Sequence, residues 1–365
     1  MFVSIACNVL NKSWLLIGTR RGCVQVFLPN RYHKTVNKPS NYVSCSSQLS
    51  ETELRDKLRV CSTTKELVTR LSEVFVQQGV PESRLSAEYI VATSFGLSRK
   101  QLLRGEPTLL SQLEPFYSTL THNALRRLLR EPVQYIVGNW DFYNLTLKVR
   151  QPVLIPRPET EELVDRILKF WKNVLRRGST GEVTRCLEIG CGSGAISLSL
   201  LKGWKEFTGN NNILKVTALD IDPQAITLTK ENACIVLEDE QKRLLDIHLQ
   251  DITKFRLDDN KYDFLVSNPP YIPEAEYRTL QPEVIQYEAS CALLGGKDGM
   301  EIIRVILRGA KNWLKTGGTI WLEVDPSHPK LIQDFLHKEP NVGVELLQVF
   351  EDMSGLARYC KLLVI

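Results

Sequence analysis

The chain has 365 residues, an ordinary apolar content and a formal net charge of +4, which is enough length for two domains with cores of their own. No apolar run approaches the ~18 residues of a membrane-spanning helix, and nine cysteines without a Cys-x-x-Cys pair point to neither a metal site nor a disulfide framework. Six of the 46 basic residues (Lys12, Arg20, Arg21, Arg31, Lys34 and Lys38) precede Glu51, the first acid; the remaining 40 then face 42 acids, so the body is too near neutral to grip a nucleic-acid backbone.

Residues 1–50, acid-free and rich in Arg, Ser and Asn, have the composition of an organelle transit segment. The plainer alternative is a disordered leader, and Val24 to Leu28 is too short for a secretory core.

From residue 51 to 131 the pattern is helical. Thr63 and Glu66 fit a capping box. Leu67, Val68, Leu71, Val74 and Phe75 then share one stripe, until Gly79 and Pro81 end the helix. Leu85, Ile90, Val91 and Phe95 mark a second helix, Ser98 to Leu103 a third and Leu120 to Arg130 a fourth. Arg126, Arg127 and Arg130 read either as a partner-facing patch or as a solvated helix face.

Pro132 breaks the last helix, and residues 132–158 read as short β runs around Gly138, Asn139 and Asn144, a hairpin linking two domains. At the end of this linker, Thr160 is placed to cap the next helix, with Glu161 and Glu162 in the first turn favoured by the helix dipole. Arg157 and Glu159 have no evident structural duty, and they and Glu161 are candidates to face a substrate.

Residues 159–365 alternate between strand and helix, the signature of a parallel α/β sheet. Cys186 to Ile189 is a strand, and Gly190, Gly192 and Gly194, with Cys191 and Ser193 between them, allow a tight turn into a helix. Such a loop alone is shared with many dinucleotide sites, but this one lacks the lysine of a phosphate loop. Glu188 precedes it, and Asp220 ends the next strand, Val216 to Leu219, where a carboxylate can take both hydroxyls of a ribose. Asp222 serves as the following helix cap. Asp251 and Ile252 close the strand Leu245 to Leu249 on the same rim, so the set describes an adenosine site.

The strand Phe264 to Ser267 stops at Asn268, Pro269, Pro270 and Tyr271. Proline fixes φ and donates no hydrogen bond, so the stop lies at a strand's carboxyl edge, where open α/β sheets bind ligands. The Asn268 side-chain oxygen and the Pro269 carbonyl form a pair of fixed acceptors for an –NH2 group, and Tyr271 supplies a ring wall. The plain reading is a loop after a strand. Beyond it lie Gly295-Gly296-Lys-Asp-Gly299, a helix over Met300 to Leu314, a strand Thr319 to Val324, a helix Pro329 to His337, and two strands, Val344 to Phe350 and Arg358 to Ile365, joined by a turn short enough to require antiparallel pairing. Seven strands are expected.

Together these residues resemble the class I S-adenosyl-L-methionine-dependent methyltransferases, and within them the HemK/PrmC family of protein-(glutamine-N5) methyltransferases that modify peptide-chain release factors. The resemblance rests on Pro132-Val-Gln-Tyr-Ile-Val-Gly138, Val153-Leu-Ile-Pro-Arg-Pro-Glu-Thr-Glu161, Glu188-Ile-Gly-Cys-Gly-Ser-Gly-Ala-Ile196, Asp220 and Val266-Ser-Asn-Pro-Pro-Tyr-Ile272. It implies an α/β fold: a small helical-bundle domain, a connecting β-hairpin and a Rossmann-like domain with a seven-stranded sheet. It places S-adenosyl-L-methionine on the glycine loop and Asp220, and the substrate glutamine on Asn268 to Tyr271. The family's aromatic residue near adenine is replaced here by Ile252. The helical domain and the acid-free leader together imply an enzyme of the mitochondrial matrix; the expected target is a release factor's Gly-Gly-Gln loop, and a monomer without stable nucleic acid or membrane partners is expected. An Asn-Pro-Pro-Tyr turn is shared with adenine-N6 methyltransferases of DNA or RNA, which would need a basic channel and base flipping. A non-catalytic module that has kept the fold is the third reading.

Overall fold

A computed structural model describes residues 49–105, 114–178, 183–208, 212–257 and 261–365; the expected leader and its Val24 to Leu28 stretch lie outside them.

The amino-terminal part is built from α1 (Glu51–Arg59), α2 (Thr64–Gln77), α3 (Ser83–Ser94), α4 (Arg99–Arg104), α5 (Glu114–Leu128) and α6 (Val133–Val137). Ser50 caps α1 through a reciprocal box with Glu53, a start signal the sequence reading passed over. Thr63 caps α2 by accepting the Glu66 amide, but the Glu66 carboxylate accepts from Ser62 N at 2.7 Å, one residue beyond the N-cap amide that a reciprocal box would use. The expected stripe of α2 packs with Leu54, Ile90, Val91 and Leu120 into one apolar core.

Residues 133–137 are helical rather than β. Pro132 sits at the N-cap, where its missing N–H costs nothing, and Gly138 closes the turn with φ +80°. Five residues are too few for periodicity to separate the two states. The hairpin itself is β1 (Asn139–Phe142) with β2 (Leu145–Lys148).

Neither reading holds for Arg127, in the last turn of α5, or for Arg130, just beyond it. Arg127 is buried, donates to Ser86 and Pro81, and pairs with Glu283 at 2.9 Å; Arg130 joins the same carboxylate at 2.6 Å. Removing one member of such a buried pair strands the other charge, at a typical cost of about 3–5 kcal/mol. The arginines therefore tie the helical part to the sheet part. Arg126 turns to Glu131.

The remainder comprises α7 (Pro158–Arg176), β3 (Val183–Ile189), α8 (Ala195–Thr208), β4 (Ile213–Asp220), α9 (Pro223–Val236), α10 (Asp239–Lys242), β5 (Leu245–Leu249), β6 (Tyr262–Ser267), α11 (Glu274–Tyr277), α12 (Pro282–Tyr287), α13 (Glu301–Trp313), β7 (Leu314–Glu323), α14 (His328–Lys338), β8 (Val344–Glu351) and β9 (Ala357–Val364). The seven strands from β3 onward form one sheet in the order β5-β4-β3-β6-β7-β9-β8, parallel except for β9, which runs antiparallel to both neighbours. Successive strand residues point to opposite faces. Cys186, Phe264 and Val266 therefore meet Leu163, Ile167 and Trp171 of α7 and Trp204 of α8 on one side. Leu187 and Leu265 meet Ile303, Ile306 and Trp313 of α13 on the other. Burial on both faces explains the unbroken apolar run Phe264-Leu-Val266 of β6.

α7 starts differently from expectation. Its N-cap is Arg157, with no side-chain cap bond, and Pro158 supplies the pre-set φ of the first helical residue. Thr160 lies inside the first turn, with its hydroxyl free for other work.

Candidate active site

Chain winding reverses between β3, whose neighbour on one side is β4, and β6 on its other side, so a crevice opens beyond the carboxyl ends of these two strands. The pairing of Ile189 with Ser267 sets Gly190 beside Asn268. Ser267 Oγ locks the two ends by donating to the Ile189 carbonyl at 2.7 Å. Two sequence motifs 78 residues apart thus share one rim.

On the β3 side the loop is shaped by its backbone. The amides of Gly190 and Cys191 both donate to the Leu219 carbonyl, and Gly190, Gly192 and Gly194 all have φ between +56° and +83°, a region that L side chains avoid. A Cβ on Gly194 would lie 3.0 Å from Thr229 and 3.1 Å from Leu198, whereas one on Gly190 or Gly192 would meet nothing nearer than 3.9 Å. A Cβ at the first two would thus make only ordinary contacts, with the Asn268 carbonyl and Val153, whereas the bare third glycine lets α8 and α9 approach.

The loop's side chains point elsewhere. Cys191 is buried, with Sγ 3.5 Å from Thr229 Oγ1, and Ser193 is buried, its carbonyl accepting from Asn232. Glu188 lies behind the loop: its Oε2 accepts the amide and hydroxyl of Ser197, while Oε1 has no hydrogen-bond partner. Burial pushes its carboxyl up to about 8. Asp220 stands at the cradle's edge, Oδ2 accepting Gly192 N at 2.8 Å and Oδ1 accepting Asp222 N at 2.9 Å. Burial raises its pKa, and these amides pull it back. Each carboxylate oxygen keeps a lone pair for a further donor such as a ribose hydroxyl.

Asp251 spends its carboxylate on Thr253 N and Oγ1, which hold its pKa low, and Ile252 is buried with Ile189 and Leu219. Among the described residues no Lys or Arg is bonded to the loop or to Asp220. Glycine backbone edged by the Asp220 carboxylate suits a ribose carrying a cationic group, and S-adenosyl-L-methionine fits that description better than a pyrophosphate does. Among the described residues no group of three His, Cys, Asp or Glu is arranged to hold a metal ion.

On the β6 side the acceptors are fixed in place. Pro269 is buried, and neither its carbonyl nor Asn268 Oδ1 takes a hydrogen bond among the described residues. Asn268 Nδ2 donates to Thr160 Oγ1 at 3.0 Å, and Thr160 Oγ1 donates to Glu323 Oε2 at 2.6 Å. Tyr271 OH donates to the other oxygen, Glu323 Oε1, at 3.4 Å. Glu323 is fully buried at the end of β7, and burial lifts its carboxyl to about 7 against the pull of Thr160. Behind the turn, a Cβ on Gly299 would come within 2.2 Å of the Tyr271 carbonyl and one on Gly295 within 2.7 Å of that of Pro270. The Gly295 to Gly299 loop is the floor on which the kink rests.

Arg157 has a structural duty that the sequence did not disclose: it pairs with the buried Glu288 at 2.6 Å, which also accepts the Ile155 amide. Glu159 and Glu161 lie half-buried in the first turn of α7 with no side-chain hydrogen bond or ion pair among the described residues. Thr160, Ser267 and Glu323 were missed as site residues. Glu323 did leave a signal, an acid at the carboxyl end of the apolar run Thr319-Ile-Trp-Leu-Glu-Val324.

Residues 66–138 match the family model described as the PrmC N-terminal domain, and residues 169–296 that of the methyltransferase small domain. The chain is 42% identical over 311 residues to a human protein named MTRF1L release factor glutamine methyltransferase, covering 82% of this chain and 86% of that one. Proteins named release factor glutamine methyltransferase from Fusobacterium nucleatum (32% identity; 78% and 74% covered) and Chlorobaculum tepidum (33%; 80% and 94%) are similar along comparable lengths.

Proposed function

This chain belongs to the release factor glutamine methyltransferase family, and we propose that its substrate is the glutamine of a release factor's Gly-Gly-Gln loop, methylated at the side-chain nitrogen. It is an S-adenosyl-L-methionine-dependent methyltransferase of protein glutamine. The observation that carries the finer reading is the pair of unspent acceptors, Asn268 Oδ1 and the Pro269 carbonyl, on the rim beside Gly190.

S-adenosyl-L-methionine, when bound, supplies an electrophilic methyl on a sulfonium; Gly190, Gly192 and Asp220 are the residues placed to hold it. A carboxamide nitrogen is a weak nucleophile, because its lone pair is delocalised into the carbonyl. With one N–H taken by Asn268 Oδ1 and the other by the Pro269 carbonyl, the nitrogen gains electron density and presents one face to the cradle. Alignment and fixed dipoles then carry most of the catalysis, for which proximity supplies up to ~7–11 kcal/mol. No strong base is required beforehand, since the nitrogen becomes acidic on taking the methyl and only then sheds a proton. Tyr271, its hydroxyl turned to Glu323, gives the carboxamide an apolar wall.

A site in the mitochondrial matrix, and action as a monomer, belong to the same reading. The acid-free first 50 residues support the former. The test is incubation with organellar release factors and isotopically labelled cofactor, with mass spectrometry to place the methyl. Label on the Gly-Gly-Gln glutamine is expected; label on nucleic acid alone would overturn the reading in favour of an adenine-N6 enzyme.

A further inference from the structure

We propose that Thr160 and Glu323 are positioning residues that set which end of the Asn268 carboxamide faces the substrate. The inference rests on the reading that Asn268 accepts a hydrogen bond from a carboxamide nitrogen.

The oxygen and nitrogen ends of an Asn side chain are nearly the same shape and differ only in hydrogen-bond polarity. Packing alone therefore leaves Asn268 two orientations, and only the one with Oδ1 toward the crevice accepts an N–H. The other offers a donor to a donor. What selects between them is a chain of bonds with a direction. Thr160 Oγ1 has one proton, and it is given to Glu323 Oε2 at 2.6 Å. Its hydroxyl is thereby left only acceptor capacity toward position 268, and it meets Nδ2 at 3.0 Å. Oδ1 is turned outward by exclusion.

The direction depends on Glu323 being a carboxylate. Both of its oxygens act as acceptors, one from Thr160 and one from Tyr271, and an ionised carboxylate is acceptor-only. A proton on Oε2 would reverse the first bond: Glu323 would donate to Thr160, and the threonine proton would become free to bond the oxygen end of Asn268. The chain would then stabilise the unproductive orientation. The charged and titratable groups around Glu323 are Glu159 on α7, Tyr271 on the kink, and Arg358 and Tyr359 on β9. Burial and Glu159 oppose ionisation, while Thr160, Arg358 and Tyr271 favour it, and the balance leaves the carboxyl titrating at about 7. Activity therefore rises with pH through that value, because the ionised form is the productive one.

Three full-chain variants test this with release factor and labelled cofactor over pH about 5 to about 9. Thr160→Val keeps the shape and removes the polarity. It should lower kcat about a hundredfold, the cost of a reacting group held about 1 Å out of line, with KM for the cofactor unchanged. Thr160→Ser should restore most of the rate. Glu323→Gln can donate where Glu323 accepts, so it should be slow and lack the acid limb with its midpoint near 7 that the wild type shows. Independently of turnover, the Asn268 side-chain amide in protein labelled with ¹⁵N-asparagine, identified by its loss in Asn268→Ala, should shift in Thr160→Val. Wild-type kcat in folded Thr160→Val, an acid limb retained in Glu323→Gln, or an unmoved Asn268 amide signal would each overturn the inference. A wild type that leaves glutamine unmethylated would sink the functional reading instead, and the amide signal would still decide whether Thr160 holds Asn268.

Discussion

The two sides of the crevice achieve rigidity by opposite means. On the glycine-loop side the working surface is backbone: three positive-φ glycines fix the turn, and the side chains of Glu188, Cys191 and Ser193 are turned into the body. On the Asn-Pro-Pro-Tyr side the prolines fix the main chain but leave a side chain to be oriented, and its partners come from α7 and β7, 108 and 55 residues away in sequence (Thr160 and Glu323). A backbone site is specified locally, whereas a side-chain site needs partners that the fold alone brings together.

Legibility followed the same division. Alternation of strand and helix, the glycine spacing and the final hairpin could be read because each is a local physical constraint: turn chemistry, burial on two faces, a connection too short for a crossover. The position of Asn268 beside Gly190 depends instead on the strand order, in which the winding of the chain reverses between β3 and β6. Thr160 reads as a cap because Ser, Thr, Asn and Asp favour that place, but Pro158 already starts the helix, and the hydroxyl's real partner, Glu323, is 163 residues away. Arg127 and Arg157 failed for the same reason. Their buried partners, Glu283 and Glu288, sit around the one-and-a-half turns of α12, and no pattern in the arginines' own neighbourhood announces a carboxylate over 130 residues distant.

The comparison breaks most readily at Asn268. Asn268→Ala should cost about 10²–10³ in kcat, the usual effect of removing one preorganised polar group from a reacting centre, while cofactor affinity by calorimetry stays as in the wild type. An active Asn268→Ala would mean that the kink works through its backbone alone, as the loop does.

Gly299→Ala tests the floor beneath the kink. At φ +77° with a Cβ 2.2 Å from the Tyr271 carbonyl, it combines backbone strain of about 1–3 kcal/mol with overpacking of about 1–3 kcal/mol. Denaturant unfolding should show a loss of about 3 kcal/mol, and the remaining folded protein should turn over slowly with normal cofactor binding. An unchanged unfolding midpoint would detach the Gly295 to Gly299 loop from the site.

Asp220→Ala is the counterpart on the loop side, since it removes a side chain that stands at the cradle's edge. Hydrogen bonds to a charged group contribute about 1.5–3 kcal/mol, so cofactor Kd should rise at least about tenfold, with kcat at saturation much less affected. Equal losses in both would merge the two sides into one functional unit.

Cys191→Ala sharpens the contrast from the other end. Cys191 sits between two of the glycines, where a sequence reading assigns it to the cofactor, yet its thiol is buried against Thr229 and it serves the cradle through its backbone, giving its amide to Leu219 and accepting that of Gly194. Burial and the neighbouring Glu188 push that thiol well above its usual range, so it stays protonated and packs as a small apolar group. Alanine keeps the amide and the turn and loses one buried sulfur, for which a cost near 1 kcal/mol in stability is the ordinary scale. Calorimetric cofactor affinity should be indistinguishable from that of the wild type. A weakened Kd would show that the loop's side chains shape the cradle after all, and would erase the distinction between a site made of backbone and a site made of side chains.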